Sequence, residues 1–133
     1  MFPTCKYVKG FVLRPTNLQA DLLEIYSSLS FVGGLILLNL LERDIPHNLL
    51  IADRGCTMYI IPRQHESKQA NLDKLRCGFF EISGLAICWE KDFYDKLDKA
   101  TFEEYLTKYV SLPDKEFDQI KEDLKKSLIK SYK

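Results

Sequence analysis

Two histidines are the imidazole groups that this chain offers for acid–base, nucleophilic or metal chemistry. His47 begins a segment typical of a strand, beside Asn48, and His65 lies in a polar stretch. A metal site usually needs three or four ligands, and the sequence around either histidine marks no third one. We therefore expect no metal site. A small active site around His47, Asn48 and His65 that no known motif describes stays open as an alternative.

Known catalytic motifs are missing from the sequence. It has no GxSxG, no cysteine–histidine signature and no paired-carboxylate motif, so we assign no catalytic residue. It also has no GxxxxGK[ST] and no GxGxxG, and Gly33-Gly34 lies inside an apolar stretch rather than after a strand. We therefore expect neither a phosphate-binding loop nor a cofactor.

The polar segment after the expected strand Thr57–Pro62 is the best candidate for binding. It brings two cations and several neutral donors together: Arg63, Gln64, His65, Lys68 and Gln69. Such a cluster could hold a phosphate or sugar hydroxyls through charge-assisted hydrogen bonds. The alternative is an ordinary solvated loop.

Short segments rich in β-branched and aromatic residues predict about four strands that would position this loop. The second and third are joined by Asp53-Arg54-Gly55-Cys56, which is typical of a turn and predicts an antiparallel hairpin. The strands are expected at Tyr7–Leu13, His47–Asp53, Thr57–Pro62 and Phe79–Trp89.

The first helix is predicted from apolar residues at helical spacing. Thr16 or Asn17 can cap it. The spacing continues as far as Arg43, and Gly33-Gly34 predicts a kink, a break or a close packing contact on the way. Because the second half of this stretch is apolar nearly all round, we expect a buried core helix.

The last third of the chain is predicted to be helical. Thr101 and Glu104 have the spacing of a capping box, and Ser111-Leu112-Pro113-Asp114 is typical of a further helix start. An apolar stripe then follows at Phe117, Ile120, Leu124 and Leu128. The order of elements predicts an α+β fold, an antiparallel sheet covered by helices, in a single domain over residues 1–133.

Composition limits the class of protein. Lys plus Arg and Asp plus Glu each number 19, so the formal net charge is zero and no global field favours nucleic acid or an anionic membrane. The longest apolar stretch, Leu29–Leu41, is too short to cross a bilayer, and Met1–Lys6 lacks a signal-peptide pattern. We expect a cytoplasmic protein that binds neither nucleic acid nor membrane and keeps its cysteines as free thiols.

Short segments of the sequence follow one another in the order and spacing of a known family. They are YVKGFV at 7–12, PHNLLIADRG at 46–55, YIIPRQ at 59–64, ESKQA at 66–70, FEISG at 80–84 and Ser111-Leu112. Together they resemble the C-terminal region of GDP-L-galactose and GDP-D-glucose phosphorylases, over nearly the whole chain. A weaker likeness extends to diadenosine tetraphosphate phosphorylases.

This resemblance implies half of a histidine-triad-like (HIT-like) nucleotidyltransferase fold. The full enzyme would convert a GDP-hexose and phosphate to GDP and a hexose 1-phosphate. The implied partners are a GDP-sugar or phosphate, together with the missing N-terminal catalytic part or a second copy of the chain. Within the matched segments, the implied substrate-binding residues are Asn48, Arg63, Gln64, Lys68, Gln69, Ser83 and Gly84.

The sequence departs from the family at the catalytic motif. There, a histidine of an H-x-H-x-[HQ] strand attacks the α-phosphorus, and its neighbours share the same strand face because side chains alternate. No two histidines of this chain are separated by one residue. We therefore expect a C-terminal portion that is not catalytic alone. The alternative is a stand-alone protein-interaction or nucleotide-binding module derived from that fold.

Overall fold

The computed structural model describes residues 8–17, 19–65, 88 and 90–131. These residues form an α+β structure, as predicted, with a three-stranded antiparallel sheet and four α-helices in the part described. The prediction was about four strands, and the expected strand Phe79–Trp89 falls almost wholly outside the described residues. The elements are β1 (Phe11–Leu13), α1 (Leu22–Glu42), β2 (His47–Ala52), β3 (Thr57–Pro62), α2 (Lys91–Lys96), α3 (Lys99–Tyr105) and α4 (Asp114–Ser131).

The chain divides into two compact units, and the sheet belongs to the one formed by Gly10–Pro62 and Pro113–Lys133. Its strand order is β1-β3-β2. In the predicted hairpin, β2 pairs with β3 over six residue pairs, from His47 opposite Pro62 to Ala52 opposite Thr57. The hairpin prediction is therefore confirmed, and the central strand β3 is the one with partners on both sides.

One face of this sheet carries the helices. A Cβ built on Gly33 of α1 would lie 2.5 Å from Met58 Sδ, so α1 crosses β3 closely at that glycine. On the same face, the rings of Phe11 and Phe117 of α4 have centroids 5.1 Å apart. Apolar residues of the two helices and of β3 are buried there: Ile25, Leu29, Ile36, Leu40, Ile60, Ile120 and Leu124.

Helix α1 begins later than predicted. The expected caps Thr16 and Asn17 do not start it, and its N-cap is Asp21. The reason is local, because Asn17 Oδ1 accepts a hydrogen bond from the Gln19 N–H at 3.0 Å and so closes a turn of its own. The helix then continues through Gly33-Gly34 without a break, and the close packing contact is the alternative that holds.

Length and composition alone would allow α1 to cross a membrane, because it combines 21 residues with high mean hydropathy. The second half of α1, expected to be a buried core helix, is only partly buried, because Ile36 and Leu40 are buried whereas Leu38 and Leu41 are 52% and 65% exposed. Only 22% of its most apolar window is buried.

The hairpin turn holds three consecutive residues in the left-handed region. The φ angles are 52° at Asp53, 56° at Arg54 and 89° at Gly55. Two side-chain hydrogen bonds fix this turn. The Thr57 hydroxyl donates to Asp53 Oδ2 at 2.5 Å, and the Tyr26 hydroxyl of α1 donates to the Arg54 carbonyl at 2.9 Å.

Substituting Gly55 by alanine is expected to lower the free energy of unfolding by about 1–2 kcal/mol, because an L-residue is strained at positive φ. The new Cβ would also lie 3.1 Å from Tyr26 Cε1. Urea unfolding measures the effect. The matched control is Arg54→Gly, which relieves a left-handed residue in the same turn and should stay within about 0.5 kcal/mol of the wild type. Equal losses in both variants would contradict this account of the turn.

The second unit contains Arg63–Leu112 and the N-terminal residues to Lys9. Its helix α3 is capped by Asp98, whose Oδ1 accepts the Thr101 N–H at 2.7 Å. That bond holds the pKa of the Asp98 carboxyl below its ordinary value. The predicted capping box at Thr101 was therefore wrong, because Thr101 donates to a cap three residues earlier. After α3 the chain continues into a π-helix, Leu106–Val110.

Candidate functional site

The structure describes three of the seven predicted substrate-binding residues. Asn48 is the second residue of β2, and Arg63 and Gln64 directly follow β3. They fall in different units, Asn48 in the sheet unit and the other two in the second unit. Lys68, Gln69, Ser83 and Gly84 lie outside the described residues.

Gln64 is tied to the segment Leu106–Leu112, which we call the Ser111 turn. Its side-chain Nε2 donates to the Ser111 carbonyl at 2.7 Å and to the Lys108 carbonyl at 3.1 Å. Its backbone N–H donates to the Val110 carbonyl at 2.9 Å. Both amide protons are thus already used, and the side-chain oxygen is the group that Gln64 has left to offer a ligand.

The Ser111 turn is held from its other side by Lys9. The Lys9 Nζ donates to the Leu112 carbonyl at 3.0 Å, and the Lys9 backbone N–H donates to Ser111 Oγ at 3.4 Å. Arg63 pairs with Ser111 as an antiparallel bridge, and the Ser111 N–H donates to the Leu106 carbonyl at 2.9 Å across the π-helix. Ser111 is buried, so these bonds satisfy backbone groups that water does not reach.

Sequence reasoning did not find this arrangement. The resemblance singled out the segments around Lys9, Arg63 and Ser111 separately. No spacing in the sequence indicates that residues 102 positions apart meet. The only signal in the sequence was that these segments belong to one matched pattern although they lie far apart in the chain. The structure adds the π-helix Leu106–Val110, and π-helices often accompany functional sites.

Asn48 presents a buried acceptor. It lies opposite Ile61 in the hairpin register, and alternation places its side chain on the same sheet face as the buried Leu50. Helices α1 and α4 pack on the other face. The Asn48 Oδ1 is inaccessible to water and has no hydrogen-bond donor within reach in the part of the chain that is described. Buried polar atoms without a partner are rare in native structures, so this oxygen is a candidate contact for a ligand.

His47 is fixed by its backbone neighbour. Its Nδ1 lies 3.0 Å from the Ile45 carbonyl oxygen, and because a carbonyl only accepts, Nδ1 must carry the proton. In the neutral imidazole, Nε2 is then the acceptor nitrogen. Among residues 8–17, 19–65, 88 and 90–131, no group of three or more His, Cys, Asp or Glu side chains could hold a metal ion.

A groove of about 440 Å³ lies where β1 ends and α1 begins. Apolar Ile25 and Leu29 line it together with the charged side chains of Arg14 and Glu24. None of the three predicted site residues that the structure describes takes part. One cation and one anion in the same groove give no preference for an anionic ligand.

Comparison with protein families shows which family the chain belongs to. The family model described as "GDPGP1-like, C-terminal domain" matches residues 4–131. The chain belongs to the GDPGP1-like family. No curated protein and no solved structure shows significant similarity to it.

Membership of the GDPGP1-like family confirms the resemblance drawn from the matched segments. The family match covers all seven predicted site residues, including the four outside the described part. In this GDPGP1-like domain, the side chains of Asn48 and Gln64 differ in their hydrogen bonds. Asn48 keeps a buried acceptor without a partner among the described residues, whereas the Gln64 amide group is bound to the Ser111 turn.

Proposed function

We propose that this chain is the C-terminal portion of a GDP-hexose phosphorylase-like nucleotidyltransferase and contributes sugar-nucleotide contacts without catalysing alone. Membership of the GDPGP1-like family over residues 4–131 supports the proposal. The complete enzyme would cleave a GDP-hexose with phosphate to GDP and a hexose 1-phosphate. Asn48, Arg63, Gln64, Lys68, Gln69, Ser83 and Gly84 are the proposed binding residues.

The histidines of the chain support the non-catalytic part of the proposal. Covalent nucleotidyl transfer needs a histidine nitrogen aimed at the α-phosphorus and oriented by a partner. His47 and His65 are eighteen positions apart rather than two, so alternation along one strand cannot place them side by side. His47 is oriented by the Ile45 carbonyl, but no second histidine shares its strand.

The buried Asn48 Oδ1 is the observation that carries the binding proposal. A buried acceptor without a donor is unfavourable by about 1–3 kcal/mol, and a bound hydroxyl or N–H group would remove that penalty. Hexose hydroxyls and the guanine ring both supply such donors. Asn48 also lies inside the longest segment that matches the family, PHNLLIADRG.

Calorimetric titration of GDP, a GDP-hexose and inorganic phosphate into the whole chain tests the proposal. We expect GDP or the GDP-hexose to bind, and Asn48→Ala to weaken that binding about tenfold, which equals about 1.4 kcal/mol. The control is Asn39→Ala on α1, because Asn39 Oδ1 is also buried without a donor among the described residues. It lies outside the matched segments and should leave binding unchanged.

Three results would count against the proposal. If no GDP compound binds, or if Asn39→Ala weakens binding as much as Asn48→Ala, the Asn48 contact is refuted. Phosphorolysis of the GDP-hexose by the isolated chain, followed by release of hexose 1-phosphate, would refute the non-catalytic part instead. The two arms therefore separate binding from catalysis.

The exposed apolar side chains of α1 favour a second candidate, a stand-alone interaction module derived from the same fold. Leu22, Leu23, Phe31, Leu38 and Leu41 all leave large apolar surface in water, and extended surfaces of this kind mark interaction sites. Light scattering distinguishes the two candidates in part. A strictly monomeric chain that binds GDP compounds supports the first and removes the reason for the second.

A further inference from the structure

The outward side of α1 is apolar over five turns. Its large side chains are well exposed: Leu23 by 71%, Phe31 by 50%, Leu38 by 52% and Leu41 by 65%. With two small residues they recur at steps of three and four along the helix. We call this set the α1 stripe, and its members are Leu23, Ser27, Phe31, Gly34, Leu38 and Leu41.

No charged residue interrupts α1 between Glu24 and Glu42. A helix that faces water normally carries charged or polar residues on that side. The small residues of the stripe, Ser27 and Gly34, add almost no polarity. The stripe therefore has the composition of a surface that is covered when the protein is assembled.

The opposite side of α1 is already engaged. Ile36 and Leu40 are buried on it, and Gly33 lies against Met58 of the central strand. Whatever covers the stripe must therefore leave the helix in place on its sheet. A lipid bilayer that surrounded α1 would have to displace this packing, whereas a protein surface laid on the stripe would not.

We propose that the α1 stripe is the interface with a second copy of this chain, formed by two antiparallel α1 helices that cross at Gly34. The stripe is nearly symmetric about that residue. Phe31 and Leu38 lie three and four positions to either side of Gly34, and Ser27 and Leu41 lie seven positions away. A two-fold axis at Gly34 thus sets Phe31 of each copy against Leu38 of the other.

Gly34 suits a crossing point because nothing occupies the space beside it. A Cβ built there would meet no atom within 4 Å. Two helix backbones can approach most closely where a residue lacks a side chain, and the bulky Phe31 and Leu38 then fill the spaces on each side. The same antiparallel arrangement sets the small Ser27 opposite the large Leu41.

The stripe is large enough for a reversible dimer. From Leu23 to Leu41 it is about 27 Å long and about 10 Å wide at ordinary helix dimensions. A strip of that size covers about 270 Å² in projection, and because its side chains stand out from the helix its accessible surface is larger, on the order of 500 Å². Two copies thus remove about 1,000 Å², the area at which specific interfaces begin. Because the contact is symmetric, it closes on itself and gives a dimer rather than a filament.

Sedimentation velocity on the full chain over a micromolar concentration series tests this proposal. We expect a reversible dimer, and Leu38→Glu should raise its dissociation constant at least about 100-fold by placing two carboxylates in an apolar contact. The matched control is Ile129→Glu on α4, where the side chain is 59% exposed but lies off the stripe. It should leave the dimer unchanged. Circular dichroism checks that both variants are folded.

Cross-linking tests the position of the axis independently of any destabilising variant. A mixture of Ser27→Cys and Leu41→Cys chains should be linked by a short bismaleimide, giving in mass spectrometry two different peptides joined through positions 27 and 41. Ser27→Cys alone and Leu41→Cys alone should not link. Ile129→Cys, treated in the same way, measures cross-linking by chance.

A wild-type chain that stays monomeric throughout the series would overturn the proposal. So would equal dissociation by Leu38→Glu and Ile129→Glu, or a link between Ser27→Cys and Leu41→Cys chains no stronger than the Ile129→Cys background. Binding of the stripe to phospholipid vesicles, or to a separately supplied chain that carries an H-x-H-x-[HQ] segment, in place of a second copy would overturn it as well.

Discussion

Replacing Ile60 by alanine is expected to lower the free energy of unfolding by about 3 kcal/mol, a large share of the stability of a small domain. Ile60 is fully buried in the central strand β3, and it lies on the face covered by α1 and α4. Neither neighbouring strand can move to fill the cavity, because β3 is hydrogen-bonded on both sides. The free energy of unfolding therefore falls by the full transfer free energy of the removed atoms and by the full cost of the cavity.

Ile51→Ala is the matched control for this prediction. Both isoleucines point to the same face of the same sheet, but Ile51 lies on β2 and is 60% exposed. Its loss should lower the free energy of unfolding by less than about 1 kcal/mol. Urea unfolding with equal m-values measures both. Similar losses would show that the sheet core is not where the structure places it.

Substituting Gln64 by leucine is expected to lower the free energy of unfolding by about 2 kcal/mol. The change removes the Nε2 donor from the carbonyls of Ser111 and Lys108. Ser111 is buried, so its carbonyl would be left without a donor and without water. The hydrogen bond from the Gln64 backbone N–H to the Val110 carbonyl remains, so we expect the Ser111 turn to be weakened and not lost.

Gln119→Leu supplies the comparison for Gln64→Leu. Its Nε2 donates to Asp123 at 3.2 Å on the exposed surface of α4, where water replaces the lost partner, so the change should stay within about 0.5 kcal/mol. Hydrogen exchange at the Ser111 amide gives a second readout and should accelerate only in Gln64→Leu. If both variants are equally stable, Gln64 does not hold the Ser111 turn.

The outcome for Gln64 bears on its predicted binding role. A family motif indicates that a glutamine is required at this position, but not which of its atoms is required. Here the amide nitrogen is used within the fold. Binding through the side-chain oxygen stays a prediction, and a loss of ligand affinity in Gln64→Leu has to be separated from its loss of stability. Asn48 carries no such ambiguity among its described contacts.

The hairpin could be predicted because its evidence is local. Short runs of apolar, β-branched and aromatic residues on each side of Asp53-Arg54-Gly55-Cys56 indicate both strands, and the residues between them indicate the turn. The start of α1 could not be predicted in the same way. Thr16 and Asn17 were the expected caps, but Asn17 accepts a hydrogen bond from Gln19 that closes a turn first, and the helix begins after Asp21.

The partial burial of α1 could also not be predicted from the sequence. An apolar helix reads as a core helix whichever partner covers it, and the sequence does not say that the sheet covers only one side. For the family, the matched segments were enough, because a family model covers the same part of the chain. The pairing of Lys9 with Ser111 and Leu112 depends on three-dimensional packing alone.

The contact between Lys9 and Ser111 has a consequence for the order of events during synthesis. Its partners are separated by 102 residues, so the ribosome must release most of the chain before they can meet. The hairpin of β2 and β3 closes within sixteen residues and can pair while translation continues. During that interval the apolar α1 has already emerged, and α4, which packs on the same sheet, has not yet been made. The nascent chain therefore passes through a stage in which α1 can pack on the β2–β3 hairpin but α4 is not yet available to pack beside it. A chaperone would be most effective at this stage.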